Sequence, residues 1–479
     1  MSERVTEAPT FAVVGKINMG KSSVLSTLLE VDDNALIRVS GTPGETTRCQ
    51  VLPLTFDDRE MIRFLDTPGF SRAVEAMRAI QDLHGEGTPD LDSVRRFVEI
   101  QLDRREFEDE ARLLQPVVEG AGVLYVVDPS KPLRDAFIAE MEILRWTGVP
   151  RMALLNETSS NEEREKKWRQ RLGSYFNLVR TFNAHRARFE ERRVLLKSLL
   201  EIDEKHRSRI AETIDLIDSE WEQRREESVD LIMDFLSRAL RHREKGTIGE
   251  KEELEHRKER RKEELKRQYY ASLSKMEEKT YRRLLKLYRH RLLRVELRGE
   301  AMQGVDLASA ETWQKWGLSR TQLTFAGGLA GGAAGGAIDL ATGGLTHGLG
   351  AALGALTGAG GAFFKGDRLP QLKFSAEGVT LDGDHSKALV LGPPESDNFA
   401  WILLDRFLHH YREIVTRSHG RREETVIEGE GAGWVRRFGR DRRSMLQKWI
   451  LSQLKGSARS FDSEVFAELE LILREVEEG

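Results

Sequence analysis

Two stretches near the start of the chain carry residue types whose spacing can handle phosphate. Gly15-Lys-Ile-Asn-Met-Gly20-Lys21-Ser22 matches the P-loop pattern GxxxxGK[ST], and Ser23 follows. Glycines let successive backbone N–H groups turn toward an anion, and a helix N-terminus behind them adds a favourable dipole. In this pattern Lys21 reaches the β- and γ-phosphates and the Ser22 hydroxyl ligates Mg²⁺. Gly15, Asn18, Met19, Gly20 and Ser23 complete the expected nucleotide cradle. Downstream, Asp66-Thr-Pro-Gly69 matches DxxG, with Asp66 expected in the Mg²⁺ shell and the Gly69 N–H expected to sense a γ-phosphate. Between the two lies Val39-Ser-Gly-Thr-Pro-Gly-Glu-Thr46-Thr47-Arg48. A threonine hydroxyl here would join the metal shell only while the γ-phosphate is present, which makes a switch.

These residues need a rigid frame. Short apolar runs bounded by turn residues recur at Phe11–Val14, Met61–Leu65, Val123–Val127, Met152–Leu155 and Phe176–Val179, with helical patterns between them. Such runs are expected of strands buried on both faces, so an α/β domain with a mostly parallel sheet and helices on both faces is predicted. The first run leads into the phosphate loop and a helix, Val24–Leu29, leads out.

The segment from about residue 10 to 185 resembles the Era-like, translation-factor-related (TRAFAC) GTPases, whose P-loop reads GxxNxGKS and whose switch I carries PGxTTR. The resemblance implies GTP as substrate, GTP and GDP as ligands, and Thr47, beside Arg48, as the switch I metal ligand, with Thr46 the alternative. It also implies slow intrinsic hydrolysis resting on Lys21, Thr47, Gly69 and Asn18. Phe70 stands where Ras-type enzymes carry a water-orienting glutamine, and Era-like relatives are apolar there too. In some relatives the P-loop asparagine, here Asn18, binds a K⁺ ion that stabilises transition-state charge; a purely loop-shaping asparagine is the alternative. Base reading departs from the family. Its NKxD motif is here Asn156-Glu157-Thr158-Ser159, and a serine cannot make the bidentate, charge-assisted contact that rejects adenine. The later turn Asn183-Ala184-His185 would aim the Ala184 N–H at the base oxygen. GTP at reduced selectivity, with ATP as a rival, is the expectation.

Roughly fifty residues separate Gly69 from Val123, more than a minimal G domain needs. Leu91–Leu114 reads as an extra charged helix, either a switch-coupled arm or a solvated insertion.

Beyond residue 185 the pattern becomes helical and highly charged, and Ile210, Ile214, Ile217 and Trp221 form a heptad-like stripe, the mark of a coiled-coil or self-associating helix. Residues 241–267 read as an exposed helical arm or a loop around Gly246 and Gly249. From Thr321 to Phe364 the only charge is Asp339, and glycines recur every four residues (Gly327, Gly331, Gly335; Gly350, Gly354, Gly358). That glycine zipper fits close helix packing in lipid, a hairpin buried in a soluble domain, or a flexible segment. Basic aromatic clusters at Tyr281–Arg294 and Trp434–Arg443 fit an anionic lipid surface, nucleic acid, or a solvated helix face. Short strands are expected at Leu372–Phe374, Val379–Leu381 and Ala388–Leu391. The resulting domain plan is 1–185 Era-like G domain, 186–300 charged helices, 301–366 Gly/Ala-rich hairpin and 367–479 small β element plus C-terminal helices. The layout resembles a bacterial family joining an Era-like G domain to a helical, glycine-zipper domain of unknown function.

Composition bounds the alternatives. The 479 residues carry 75 Lys+Arg and 79 Asp+Glu, so a net charge of −4 excludes a globally basic nucleic-acid binder. Charged residues at 32%, against ~25% in ordinary globular chains, accord with long solvated helices. The single Cys49 excludes an internal disulfide framework and a thiolate zinc cluster, and it reads as an ordinary small residue. The polar, acidic Met1–Pro9 lacks the pattern of a secretory signal. A cytoplasmic protein at the inner face of the membrane is therefore expected, through lipid contact of the glycine-rich segment. The rival readings are a dynamin-like membrane remodeller, a ribosome-assembly GTPase contacting ribosome or RNA, and a nucleotide-binding scaffold without turnover.

Overall fold

The computed structural model describes residues 7–32, 49–156, 162–248, 255–293, 372–378, 387–394, 398–421, 433–456 and 461–479. The chain divides into two compact units. The first comprises Met1–Glu222 with Arg289–Leu292 and Val415–Glu424; the second comprises Gln223–Tyr288, Leu293–Ile414 and Thr425–Gly479.

The first unit is built on a six-stranded sheet. In chain order its elements are β1 (Thr10–Val14), α1 (Lys21–Leu29), β2 (Gln50–Phe56), β3 (Arg59–Asp66), α2 (Ala73–His84), α3 (Leu91–Arg104), α4 (Glu108–Val118), β4 (Gly122–Val127), α5 (Asp135–Trp146), β5 (Arg151–Asn156), α6 (Glu162–Leu172), β6 (Leu178–Phe182), α7 (Phe189–Ile202) and the start of α8 (Arg207–Arg241). The strand order is β2-β3-β1-β4-β5-β6, with β2 antiparallel to β3 and every other pairing parallel. Phe11–Val14, Val123–Val127 and Met152–Leu155 are fully buried, which is why these strands read as continuous apolar runs. Ligand loops in such a sheet gather beyond the carboxyl ends of the strands. The phosphate loop leaves β1, Asp66 ends β3 and Asn156 ends β5 on that same side.

Three expectations need correcting here. The first unit runs on to Glu222 rather than stopping at residue 185, because Leu195, Leu196 and Leu199 of α7 and Ile210, Ile214 and Ile217 of α8 join the sheet's own core. The heptad-like stripe is thus buried within the unit, and Trp221 stacks on Phe189 with ring centroids 4.3 Å apart. The expected single helix Leu91–Leu114 is two helices, broken at Arg105, whose φ of 59° ends α3 in the left-handed region.

In the second unit β7 (Glu244–Ile248), β8 (Leu372–Gly378) and β9 (Lys387–Pro394) form an antiparallel sheet of order β7-β9-β8. The C-terminal part of α8, α9 (Glu255–Leu287), α10 (Asn398–Val415, to Ile414), α11 (Arg440–Leu454) and α12 (Ser463–Glu478) complete it. Residues 244–248 are a strand where an exposed helical arm or a loop was expected; pairing with β9, far along the chain, overrides their charged local pattern. The buried centre of this unit is polar as well as apolar. Arg406 makes two hydrogen bonds to the Glu277 carboxylate, at 2.9 and 3.0 Å, and Arg225 does the same to Glu477 at 3.0 and 2.8 Å.

The basic aromatic clusters turn their rings inward. Tyr281 and Tyr288 are buried while Arg282, Arg283 and Lys286 face solvent. Trp434 and Phe438 are buried, Arg412 and Arg437 lie over the Trp434 ring, and Arg442 pairs with Glu468 and Glu475. The aromatic part of a lipid-facing surface is therefore absent from these clusters. Among the described residues no helix is long and apolar enough to cross a membrane. The glycine-rich stretch 321–364, Asp339 and the strand expected at 379–381 lie outside the described residues.

Candidate functional site

The phosphate loop begins where β1 must pass close to β4. A Cβ on Gly15 would lie 2.3 Å from the Val126 carbonyl oxygen, so only glycine fits. Exposed Asn18 takes φ 64° and Gly20 takes φ 88°, and Gly20 leads into α1 with no side-chain cap on the helix. An uncapped helix start of this kind is where first-turn N–H groups receive an anion. Asparagine is among the few residues that tolerate a left-handed backbone, so the loop's shape alone accounts for Asn18.

Lys21 opens α1, and its ammonium donates to the carbonyls of Gly15 at 2.9 Å and Lys16 at 3.3 Å. Burial pushes its pKa down, opposed by the carboxylates of Asp66 and Glu140. The next residues, Ser22 and Ser23, lie in the first turn of the helix. Met19 is buried beside them, and its sulfur accepts from the Asp128 N–H at 3.3 Å.

Asp66 sits at the end of β3 in register with Val13 of β1, and it is buried. Thr67 fastens the following turn by donating to the Val13 carbonyl at 2.9 Å. At Gly69 a Cβ would lie 3.1 Å from the Gly15 oxygen, so the DxxG backbone lies against the phosphate loop. A hydroxyl on Ser22 and a carboxylate on Asp66 are hard oxygen donors of the kind Mg²⁺ takes, and they fit that ion. Phe70 is packed into the core and offers no group to a water molecule. Thr46, Thr47 and Arg48 of the switch I stretch lie outside the described residues. Cys49 donates to the Arg112 carbonyl at 3.4 Å, and burial raises its thiol pKa.

The charged insertion is coupled to this loop. Glu110, at the start of α4 and buried, accepts from the N–H groups of Ser71 at 2.9 Å and Arg72 at 2.5 Å. Asp109 accepts from the Ser71 hydroxyl at 2.8 Å, and Arg72 lies over the Phe107 ring. Nothing in the periodicity of α4 marked Glu110 for this.

At the end of β5, where the resemblance expects base reading, Asn156 links two loops. Its Nδ2 donates to the Met19 carbonyl at 3.2 Å and its Oδ1 accepts from the Ala184 N–H at 3.1 Å. The N–H that the resemblance aims at a base oxygen donates to Asn156 in this structure, and Ala184 is buried. Glu157, Thr158 and Ser159 lie outside the described residues.

One buried acid behind the loop was not anticipated. Glu140 of α5 accepts from the Tyr125 hydroxyl at 2.7 Å and lies 3.7 Å from the Lys16 ammonium, which also covers the Phe137 ring. Burial pushes its pKa up to about 7, against the opposing pull of Tyr125, Lys16 and Lys21. The signal was there to read: Glu140 falls between Phe137, Met141 and Leu144 on the apolar face of α5.

This fold and this loop geometry define a P-loop GTPase domain, whose family implies GTP and Mg²⁺. Residues 10–157 match a family described as 50S ribosome-binding GTPase. Residues 169–467 match the family described as Domain of unknown function (DUF3482), and the chain belongs to that family. Among curated relatives, the "Probable GTP-binding protein EngB" of Anaeromyxobacter sp. (strain K) is 40% identical over 79 residues, 15% of this chain and 35% of the relative. The protein of the same name from Streptococcus sanguinis (strain SK36) is 40% identical over 67 residues, 14% of this chain and 31% of the relative. The chain thus spans about a third of the length of the curated relatives it matches.

Proposed function

We propose that the protein is a Mg²⁺-dependent GTPase of the Era-like type, working as a nucleotide switch with slow intrinsic turnover. The observation that carries this reading is the uncapped start of α1 behind Gly20, with Lys21 at its head and Asp66 near enough to bias its charge. The N–H groups of Gly15–Ser23 cradle the phosphates, and Lys21 moves from the Gly15 and Lys16 carbonyls to the β- and γ-oxygens. Ser22, Asp66 and Thr47 are the proposed Mg²⁺ ligands; the ion neutralises charge on the phosphate oxygens when bound. The Gly69 N–H senses the γ-phosphate, Asn18 is the proposed K⁺ site, and Asn156 with the Ala184 turn holds the base. GTP against ATP competition on the purified protein tests base preference, and exchange of K⁺ for Na⁺ tests Asn18: equal rates in the two salts remove the K⁺ role.

The glycine spacing of residues 321–364 supports membrane apposition at the cytoplasmic face, with the helices beyond the G domain relaying the nucleotide state. Alkaline extraction of membranes tests it. If deletion of 321–364 leaves the membrane-bound fraction unchanged, that placement of the anchor fails.

A second reading, action on the ribosome, is favoured by the description of the family that residues 10–157 match. Cosedimentation with large ribosomal subunits in a non-hydrolysable GTP analogue, lost in GDP, is the outcome expected of that reading.

A further inference from the structure

Residues 415–421 return from far along the chain to lie within the first unit, inside the stretch that matches the family of unknown function. They meet the base-reading turn from behind. Ser418, buried, donates its hydroxyl to the Ala184 carbonyl and lies 3.4 Å from the Thr27 hydroxyl. Thr27, on α1, is itself 3.0 Å from the Ser23 carbonyl and 3.2 Å from the Ala184 carbonyl. The Gly420 N–H donates back to Ser418 Oγ at 3.2 Å. Packing leaves no room at Gly420: a Cβ would lie 2.3 Å from the Ala184 oxygen and 2.9 Å from Thr27 Oγ1.

Other bonds anchor this region to the end of α1. His419 stacks on His290, their ring centroids 4.2 Å apart. Asp32, just past α1, accepts from the N–H groups of Arg291 and Leu292, each within 3.1 Å. Residues 290–292 thus link His419 to the stretch just past α1.

The residue whose carbonyl Ser418 grips is the one whose N–H reaches Asn156, and Asn156 reaches the Met19 carbonyl. A continuous path of hydrogen bonds therefore runs from Ser418 through Ala184 and Asn156 to the phosphate loop.

We infer that Ser418 and Gly420 are positioning residues for the nucleotide base, so that the region of unknown function completes the base-reading turn and sets how strongly the site discriminates between purines. This inference rests on the nucleotide-binding reading above. It supplies rigidity where the sequence lacks the specificity aspartate: with Ser159 in that place, discrimination falls to how firmly the Ala184 turn and Asn156 are held. One neutral hydrogen bond contributes about 1 kcal/mol, or roughly fivefold in affinity. A methyl forced against a carbonyl displaces the turn and costs more.

The test is titration of the full chain with fluorescent GDP, in competition with unlabelled GDP and ADP, for wild type, Ser418→Ala, Ser418→Thr and Gly420→Ala, each with its melting temperature. Expected are GDP binding weakened about fivefold in Ser418→Ala and about tenfold or more in Gly420→Ala, with the GDP-to-ADP preference narrowed in both. Ser418→Thr keeps the hydroxyl and restores both quantities. Wild-type preference in Ser418→Ala overturns the inference. So does a proportional loss of GDP and ADP that tracks melting temperature alone, since that marks a merely structural role. If the wild-type chain binds neither nucleotide, the nucleotide-binding reading itself falls, and that failure is seen before any variant is compared.

Discussion

Asn156 and Met19 are joined directly: the asparagine amide donates to the methionine carbonyl at 3.2 Å, tying the end of β5 to the phosphate loop. The carbonyl oxygen of the same amide accepts from the Ala184 N–H, so one side chain bridges the phosphate loop and the Ala184 turn. A Cβ on Gly20 would lie 2.1 Å from Asn156 Nδ2, so no side chain fits between them.

Asn156→Ala removes both hydrogen bonds and leaves a buried N–H and C=O without this partner. At about 1 kcal/mol or more for each, GDP affinity is expected to fall 10- to 100-fold. Fluorescent-nucleotide titration checks it, and unchanged affinity would show that the amide is not a loop clamp.

Gly15→Ala places a methyl against the Val126 backbone, which is not a flexible side chain that can yield. We expect a destabilisation of about 1–3 kcal/mol together with loss of nucleotide binding. The paired readouts are urea unfolding and nucleotide titration on the same preparation.

Glu140 makes stability depend on pH. Its carboxyl, raised to about 7 by burial, holds a proton in the folded state that the unfolded chain releases at lower pH. Folding stability therefore falls as pH rises from the ordinary carboxylate range to about 7, and levels off above. Glu140→Gln keeps the size and cannot take up the charge. Wild type should lose about 3 kcal/mol relative to this variant between pH 4.5 and 8. Urea midpoints across that range measure the difference; a constant gap would contradict the assignment.

Glu110→Ala leaves the N–H groups of Ser71 and Arg72 without their carboxylate, immediately after the DxxG turn. Hydrolysis is expected to slow about tenfold, a change of about 1.4 kcal/mol in the barrier. GDP affinity should stay within about twofold, because the phosphate cradle itself is untouched. Equal losses in both would mark Glu110 as structural support only.

Local chemistry was legible in the sequence where it depends on neighbours in the chain. Asp66 and Asn156 end β3 and β5, Lys21 opens the helix after β1 and Gly69 lies in the turn after β3, each placed by the apolar run before it. Long-range packing was not legible. Ile210, Ile214 and Ile217 show the same spacing whether a helix meets a coiled-coil partner or its own sheet, and only the structure puts them in the core of the first unit. β7 hides in a charged stretch because its stability comes from β9. Ser418-His419-Gly420 has no periodicity at all, and its contact with Ala184 spans more than two hundred residues. Glu140 is the intermediate case, an acid on an apolar face whose oddity was visible but whose partners were not.

The most direct test is steady-state GTP hydrolysis by the 479-residue chain with Mg²⁺, compared with Lys21→Ala. Wild type is expected to release phosphate slowly and only with Mg²⁺. Loss of the ammonium proposed to meet the β- and γ-phosphates should lower the rate about 100-fold or more, with little change in melting temperature. Equal rates in the two proteins, or no GTP bound or turned over by wild type, would contradict it.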